Sequence, residues 1–147
     1  MLPRIVGLAG VAALVAAGTA GCASRNHAGG AGIIPTGAYV QQPASTGQST
    51  VGYLDLRNNG TSDSLVSVST SVGGTVQLRG PDGRGSSSVL MHTVTSIPIP
   101  AGATTQLIPN GYHLLITGAG AMHDGKDIQL TLKFAHASPV TIYALVT

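Results

Sequence analysis

Pro98-Ile99-Pro100-Ala101-Gly102, leading through Ile108-Pro109-Asn110-Gly111-Tyr112-His113 to Leu114-Leu115-Ile116, is the stretch around which the chain is organised. Proline at the second position of a turn and Gly or Asn after it are the residues that reverse a chain tightly. The stretch therefore reads as a turn, a short strand, a second turn at Pro109-Asn110-Gly111, and a strand beginning near His113. Side chains alternate across a strand, so His113 and Leu115 should point to one face and Leu114 and Ile116 to the other.

The segments on either side support an all-β reading. Val51-Gly52-Tyr53-Leu54-Asp55-Leu56-Arg57 is a strand closed by the turn residues Asn58-Asn59-Gly60. Leu65 to Val72 alternates, with Val66 and Val68 expected on the core side and Ser67 and Ser69 outside. Thr75-Val76-Gln77-Leu78-Arg79 puts Val76 and Leu78 on one face and Gln77 and Arg79 on the other. Val89 to Val94 reads as a strand in which the neighbours Met91 and His92 face opposite ways. Ile128 to Phe134 is the cleanest amphipathic strand, and Val140 to Val146 is its expected hairpin partner. Ala38-Tyr39-Val40 is expected as an edge strand at the start of the domain. About eight or nine short strands separated by turns describe a β-sandwich of Greek-key type.

Composition agrees. Charged residues make up 8% of the 147-residue chain and aromatic residues 3%, with 21 glycines, a balance that suits short strands and turns. There is no basic stripe, which removes support for a nucleic-acid role. No Gly-x-Ser-x-Gly elbow or paired carboxylates are present, so the residues point away from an enzyme.

The N-terminus is an export signal. Arg4 precedes the apolar run Ile5 to Ala17, which is too short for a comfortable membrane span, and Gly18-Thr19-Ala20-Gly21-Cys22 follows. That junction resembles a bacterial lipobox, which implies a signal peptide over 1–21 and a diacylglyceryl group on Cys22. Cys22 is the sole cysteine and has no partner for an internal disulfide. Residues 22–37 are Gly/Ala-rich, show neither helical nor strand period, and read as a flexible tether. The folded domain is expected over 38–147, outside the cytoplasm and held at the bacterial membrane by its lipid.

The Ile-Pro-Ala-Gly and Asn-Gly-Tyr-His-Leu-Leu segments, with Ala-Tyr-Val and Gly-Tyr-Leu-Asp-Leu further upstream, resemble the extracytoplasmic copper-chaperone family called PCu(A)C. The resemblance implies a cupredoxin-like sandwich and Cu(I) held by His and Met, for delivery to an acceptor such as a respiratory oxidase subunit. The family's ligand frame places a Met twenty-two positions before the first residue of a His-x-Met pair, and Met91 stands at that distance from His113. The frame's remaining positions fall on Arg79, Gly80 and Leu115, none of which can donate an electron pair to a metal. Soft thioether and imidazole donors suit Cu(I), and the absence of a thiolate keeps release possible.

Met91 and His113 are thus the candidate metal ligands. Met122 and His123, in the loop after the His113 strand, are candidate substitutes for the missing donors. Two functions follow. One is a membrane-anchored copper carrier. The other is a lipoprotein of the same fold that has lost its metal and serves as an interaction module in the envelope.

Overall fold

The computed structural model describes residues 32–81 and 91–147. The proposed signal peptide, Cys22 and most of the proposed tether lie outside those residues. Ten strands and no helix are present among the described residues: β1 (Ile33–Val40), β2 (Thr50–Asn58), β3 (Asp63–Thr70), β4 (Thr75–Pro81), β5 (Met91–Thr93), β6 (Ile97–Ile99), β7 (Thr104–Leu107), β8 (His113–Thr117), β9 (Asp127–Phe134) and β10 (Val140–Val146). Of the strand expected from Val89 to Val94, β5 is the described part, and Val89 and Leu90 lie outside the described residues.

The strands form one curled ladder in the order β5-β4-β8-β2-β1-β10-β9-β3-β6, with β7 also paired to β2. The ladder folds on itself as a sandwich. Leu54, Leu56, Leu78, Leu114 and Ile116 come from one half, and Leu65, Leu130, Leu132, Ala144 and Val146 from the other, and all are buried in one core. Successive strands β3 and β4 lie in opposite halves, so the chain crosses between layers at Gly73-Gly74. Gly74 has φ +78° there, and a Cβ would stand 2.6 Å from the Thr117 carbonyl oxygen, so glycine is required twice over.

The organising stretch folds as its residues suggest. The Ala103 N–H donates to the Pro100 carbonyl across Ala101 and Gly102, where Gly102 has φ +70°. The Gly111 N–H donates to the Ile108 carbonyl across Pro109 and Asn110, and Asn110 takes φ 64°. A left-handed second central residue is the requirement of a type II turn, and the Pro109 turn adds the proline that such turns favour at the first. These two reversals bring β7 and then β8 onto the same edge of β2, end to end: Leu107 opposite Leu54, and Leu114 opposite Gly52. The expected β9–β10 hairpin forms with Thr131 opposite Thr141.

Three expectations are corrected. The first strand begins at Ile33, opposite Asn58, so residues 33–37 are part of the sheet and not of a tether. Their Pro and Gly hide the strand: Gly37 sits at a register shift between Thr36 and Tyr39, which breaks the alternation a strand is recognised by. Ala38-Tyr39-Val40 is an interior segment, because β1 is parallel to β10 on one side and antiparallel to β2 on the other. In β3 a further register shift between Leu65 and Ser67 buries Leu65 and leaves Val66 40% exposed. The bulge adds a residue, and the alternation of Val66 with Val68 is lost.

Asn58 joins the turn after β2 to the organising stretch. It is fully buried, and its amide nitrogen donates to the Thr61 and Ile99 carbonyls at 2.8 and 3.0 Å while its side-chain oxygen accepts from the Gly60 N–H at 2.9 Å. No polar side-chain atom among the described buried residues lacks a partner.

Candidate metal centre

The site is built on the outer face of the β5-β4-β8 corner. Arg79 of β4 stands opposite Thr93 of β5 on one side and opposite His113 of β8 on the other; Pro81 stands opposite Met91. Directly opposed residues in a ladder share a face, as do residues two apart in a strand. Met91, Thr93, Arg79, His113 and Leu115 therefore share the outer face. His92, opposite Gly80, belongs to the other face, as the strand reading of Met91 and His92 required.

His113 is half-buried and oriented by its neighbours. Its Nδ1 lies 3.0 Å from the Gly111 carbonyl oxygen. A carbonyl can only accept, so Nδ1 carries the proton, and in the neutral ring Nε2 keeps its lone pair. A metal-bound imidazole is commonly steadied in this way by a carbonyl on its second nitrogen. The Tyr53 ring lies beside the imidazole, with centroids 6.4 Å apart and planes at 49°. Tyr39 packs against Tyr53 with centroids 5.2 Å apart. Burial pushes the Tyr53 hydroxyl up, with the neighbouring Tyr39 adding to the shift, so Tyr53 stays a neutral phenol at physiological pH.

Arg79 does not turn out to solvent. One terminal nitrogen donates to the Met91 carbonyl at 2.8 Å and the other to the Thr93 hydroxyl at 3.0 Å. The guanidinium is laid along β5 and supplies no donor. Gly80 sits on the core face, where an added Cβ would stand 2.5 Å from the Tyr112 ring. Its place in the ligand frame is filled by packing, and no longer side chain fits there without moving Tyr112. Leu115 is half-buried on the outer face opposite Gln77.

The candidate substitutes do not join the site. β8 runs from His113 to Thr117 before its loop begins, a rise of about 13 Å. The loop is fixed at that far end: the Gly118 N–H donates to the Gly47 carbonyl and the Gly120 N–H to the Val72 carbonyl. Met122 is 5% exposed and belongs to the core, and the Lys126 N–H donates to the His123 carbonyl within its own turn. The apolar character of Met122 pointed to packing more readily than to metal, and its burial agrees.

Among the described residues, no group of three or more His, Cys, Asp or Glu is close enough to share a metal ion. A metal on this face would be met by imidazole and thioether, the set that suits a soft univalent ion.

A family model described as "Putative lipoprotein LpqE-like" matches residues 35–146. The chain belongs to the LpqE-like family. A curated relative, "Putative lipoprotein Lxx21020" of Leifsonia xyli subsp. xyli, is 28% identical over 97 residues, covering 63% of this chain and 58% of the relative. The match therefore spans little more than half of that relative's length. Among solved structures, the copper-bound PCuAC domain from PmoF2 superposes with a TM-score of 0.68 at 20% identity, over 80% of this chain and 94% of that one. The apo PCuAC domain from PmoF1 gives 0.68 at 22% identity, over 81% and 96%. The Cu(I) form of DR1885 from Deinococcus radiodurans gives 0.64 at 23% identity, over 79% and 78%. At these identities the likeness establishes a shared fold. This LpqE-like chain has the PCuAC fold, as its Ile-Pro-Ala-Gly and Tyr-His segments implied.

Proposed function

We propose that this LpqE-like protein is a copper carrier, not an enzyme, anchored through a lipid on Cys22 outside the bacterial cytoplasmic membrane. It takes up Cu(I) at His113 and Met91 and passes it to an acceptor, with a respiratory oxidase subunit as the class of recipient. The observation that carries this reading is the register of three strands. It sets Met91 and His113 on one face, with the His113 Nε2 lone pair left for a metal, in a fold shared with a copper-bound PCuAC domain. Two soft donors on an open face bind more weakly than a closed thiolate site, and weak retention is what a carrier needs.

The test is a Cu(I) competition titration of the whole chain against a chromophoric chelator. Cys22→Ser is included to remove the lipid attachment and a competing thiol. One equivalent of Cu(I) should bind, and His113→Ala should abolish it; retained binding in that variant removes the assignment. Mass spectrometry of the membrane form should find the lipid on Cys22.

A second reading rests on Arg79 and Leu115. A cation and an alkyl group on the face where donors would stand fit a metal-free lipoprotein acting through protein contacts in the envelope. Absence of His113-dependent binding in the same titration favours it.

A further inference from the structure

We infer that Arg79 is a specificity-determining residue that sets the oxidation state the site accepts, admitting Cu(I) and discriminating against Cu(II). The inference rests on the reading of Met91 and His113 as the metal donors.

Three observations carry it. Arg79 stands on the strand between the two donors, directly opposite His113 and two residues from the partner of Met91. Its charge is fixed in place, since both terminal nitrogens are engaged by β5, at the Met91 carbonyl and the Thr93 hydroxyl. None of the residues of β4, β5 or β8 is acidic, so no carboxylate on these strands offsets the charge.

A guanidinium remains protonated at any physiological pH. Its repulsion of a metal ion scales with the ion's charge and is therefore twice as large, in free energy, for Cu(II) as for Cu(I). For an assumed separation of about 7 Å in a solvated setting, the univalent ion would lose about threefold in affinity and the divalent ion about tenfold. The thioether already prefers the softer ion, and the fixed charge widens the gap. The arginine in the ligand frame is thus more than a lost histidine. It trades a donor for a charge that keeps a two-donor site selective.

The experiment uses the whole chain with Cys22→Ser, alone and combined with Arg79→Gln, Arg79→Lys or His113→Ala. Gln retains an amide N–H for the Met91 carbonyl and removes the charge; Lys retains the charge. Affinities for Cu(I) under reducing conditions, for Ag(I) as a redox-inert univalent ion, and for Cu(II) are measured by chelator competition. Arg79→Gln should strengthen Cu(II) about tenfold and Cu(I) and Ag(I) about threefold, and Arg79→Lys should leave all of them within about twofold of the parent. Equal shifts for the two charge states, no shift, or a loss for all ions in Arg79→Gln overturns the inference while His113-dependent binding leaves the site standing. If His113→Ala changes no affinity, the site assignment fails, and the inference fails with it.

Discussion

The two faces of the β4–β8 pair are governed by different constraints. On the core face Leu78, Leu114 and Ile116 are buried, and Gly80 is held to glycine by the Tyr112 ring. On the outer face Gln77, Arg79, His113 and Leu115 are partly or well exposed; Arg79 bonds to β5, and His113 lies against the Gly111 carbonyl and the Tyr53 ring. Packing dictates residue type on the first face, to within a methylene group. It leaves the second face free to exchange a donor for a charge or an alkyl group without disturbing the strands. A ligand frame can thus keep its spacing while its chemistry changes, because the spacing belongs to the sheet and the chemistry to its outer surface.

Breaking the core face should have the largest consequence. Leu114 is fully buried, and Leu114→Ala should cost about 2–5 kcal/mol in denaturant unfolding, whereas Leu115→Ala one position along should cost under about 1 kcal/mol. A similar cost at both positions would refute the division into two faces. Gly80→Ala should come next. The new Cβ meets the Tyr112 ring, and relieving the overlap should cost about 1–3 kcal/mol. Because Tyr112 immediately precedes His113, this variant should also weaken metal binding, though it removes no donor.

A smaller effect should appear in the other half of the sandwich. Asp63 accepts from the backbone N–H groups of Ser64, His136 and Ala137, tying β3 to the β9–β10 turn. Partial burial alone would raise its carboxyl; the three backbone hydrogen bonds and the nearby His136 outweigh that and hold it below the usual carboxylate range. The unfolded chain then binds the proton more readily than the folded one. The stabilisation is therefore complete above the unfolded value of about 3.9 and disappears as pH falls through the lower folded value. Asp63→Asn should flatten that acid limb of the stability curve and leave the outer face of β4–β8 untouched.

Much of this architecture was legible in the residues because turn chemistry is local. Pro109-Asn110-Gly111 specifies its turn within four residues, and the amphipathic β9 and its β10 partner carry their pairing in plain alternation. What escaped was decided by distant neighbours. The start of β1 is masked by Pro35 and Gly37, and it is a strand because β2 pairs with it. The exposure of Val66 follows from a bulge that only the facing β9 defines. For Met122 packing is the readier reading in one dimension, with metal ligation the alternative, and its burial puts it in the core. At the candidate site, the spacing implied by the resemblance nominated Met91 and His113, and the strand register puts both on one face. The bonds from Arg79 to β5 left no trace in the sequence, since an arginine on a strand is equally compatible with solvent.

The smallest effect on stability should accompany the largest gain in binding. Leu115 occupies the position two residues after His113 on the same outer face, where side chains are least constrained by packing. Leu and Met have nearly the same volume, and Leu115→Met at a half-buried site should change stability by no more than about 0.5 kcal/mol. Adding Arg79→His replaces a fixed charge with an imidazole opposite His113. The double variant would carry four soft or borderline donors on one face: the native Met91 and His113, a new imidazole on β4 and a new thioether on β8. Cu(I) affinity in chelator competition should then rise at least about tenfold over the parent, since each added donor supplies bond energy that the two-donor site lacks. A gain confined to Leu115→Met would mean that the β4 position, with its neighbour β5, no longer reaches the metal. No gain in either variant would mean that the shared face does not bring the donors within bonding distance, and the comparison between a fixed core face and a freely substituted outer face would then hold for packing but not for chemistry.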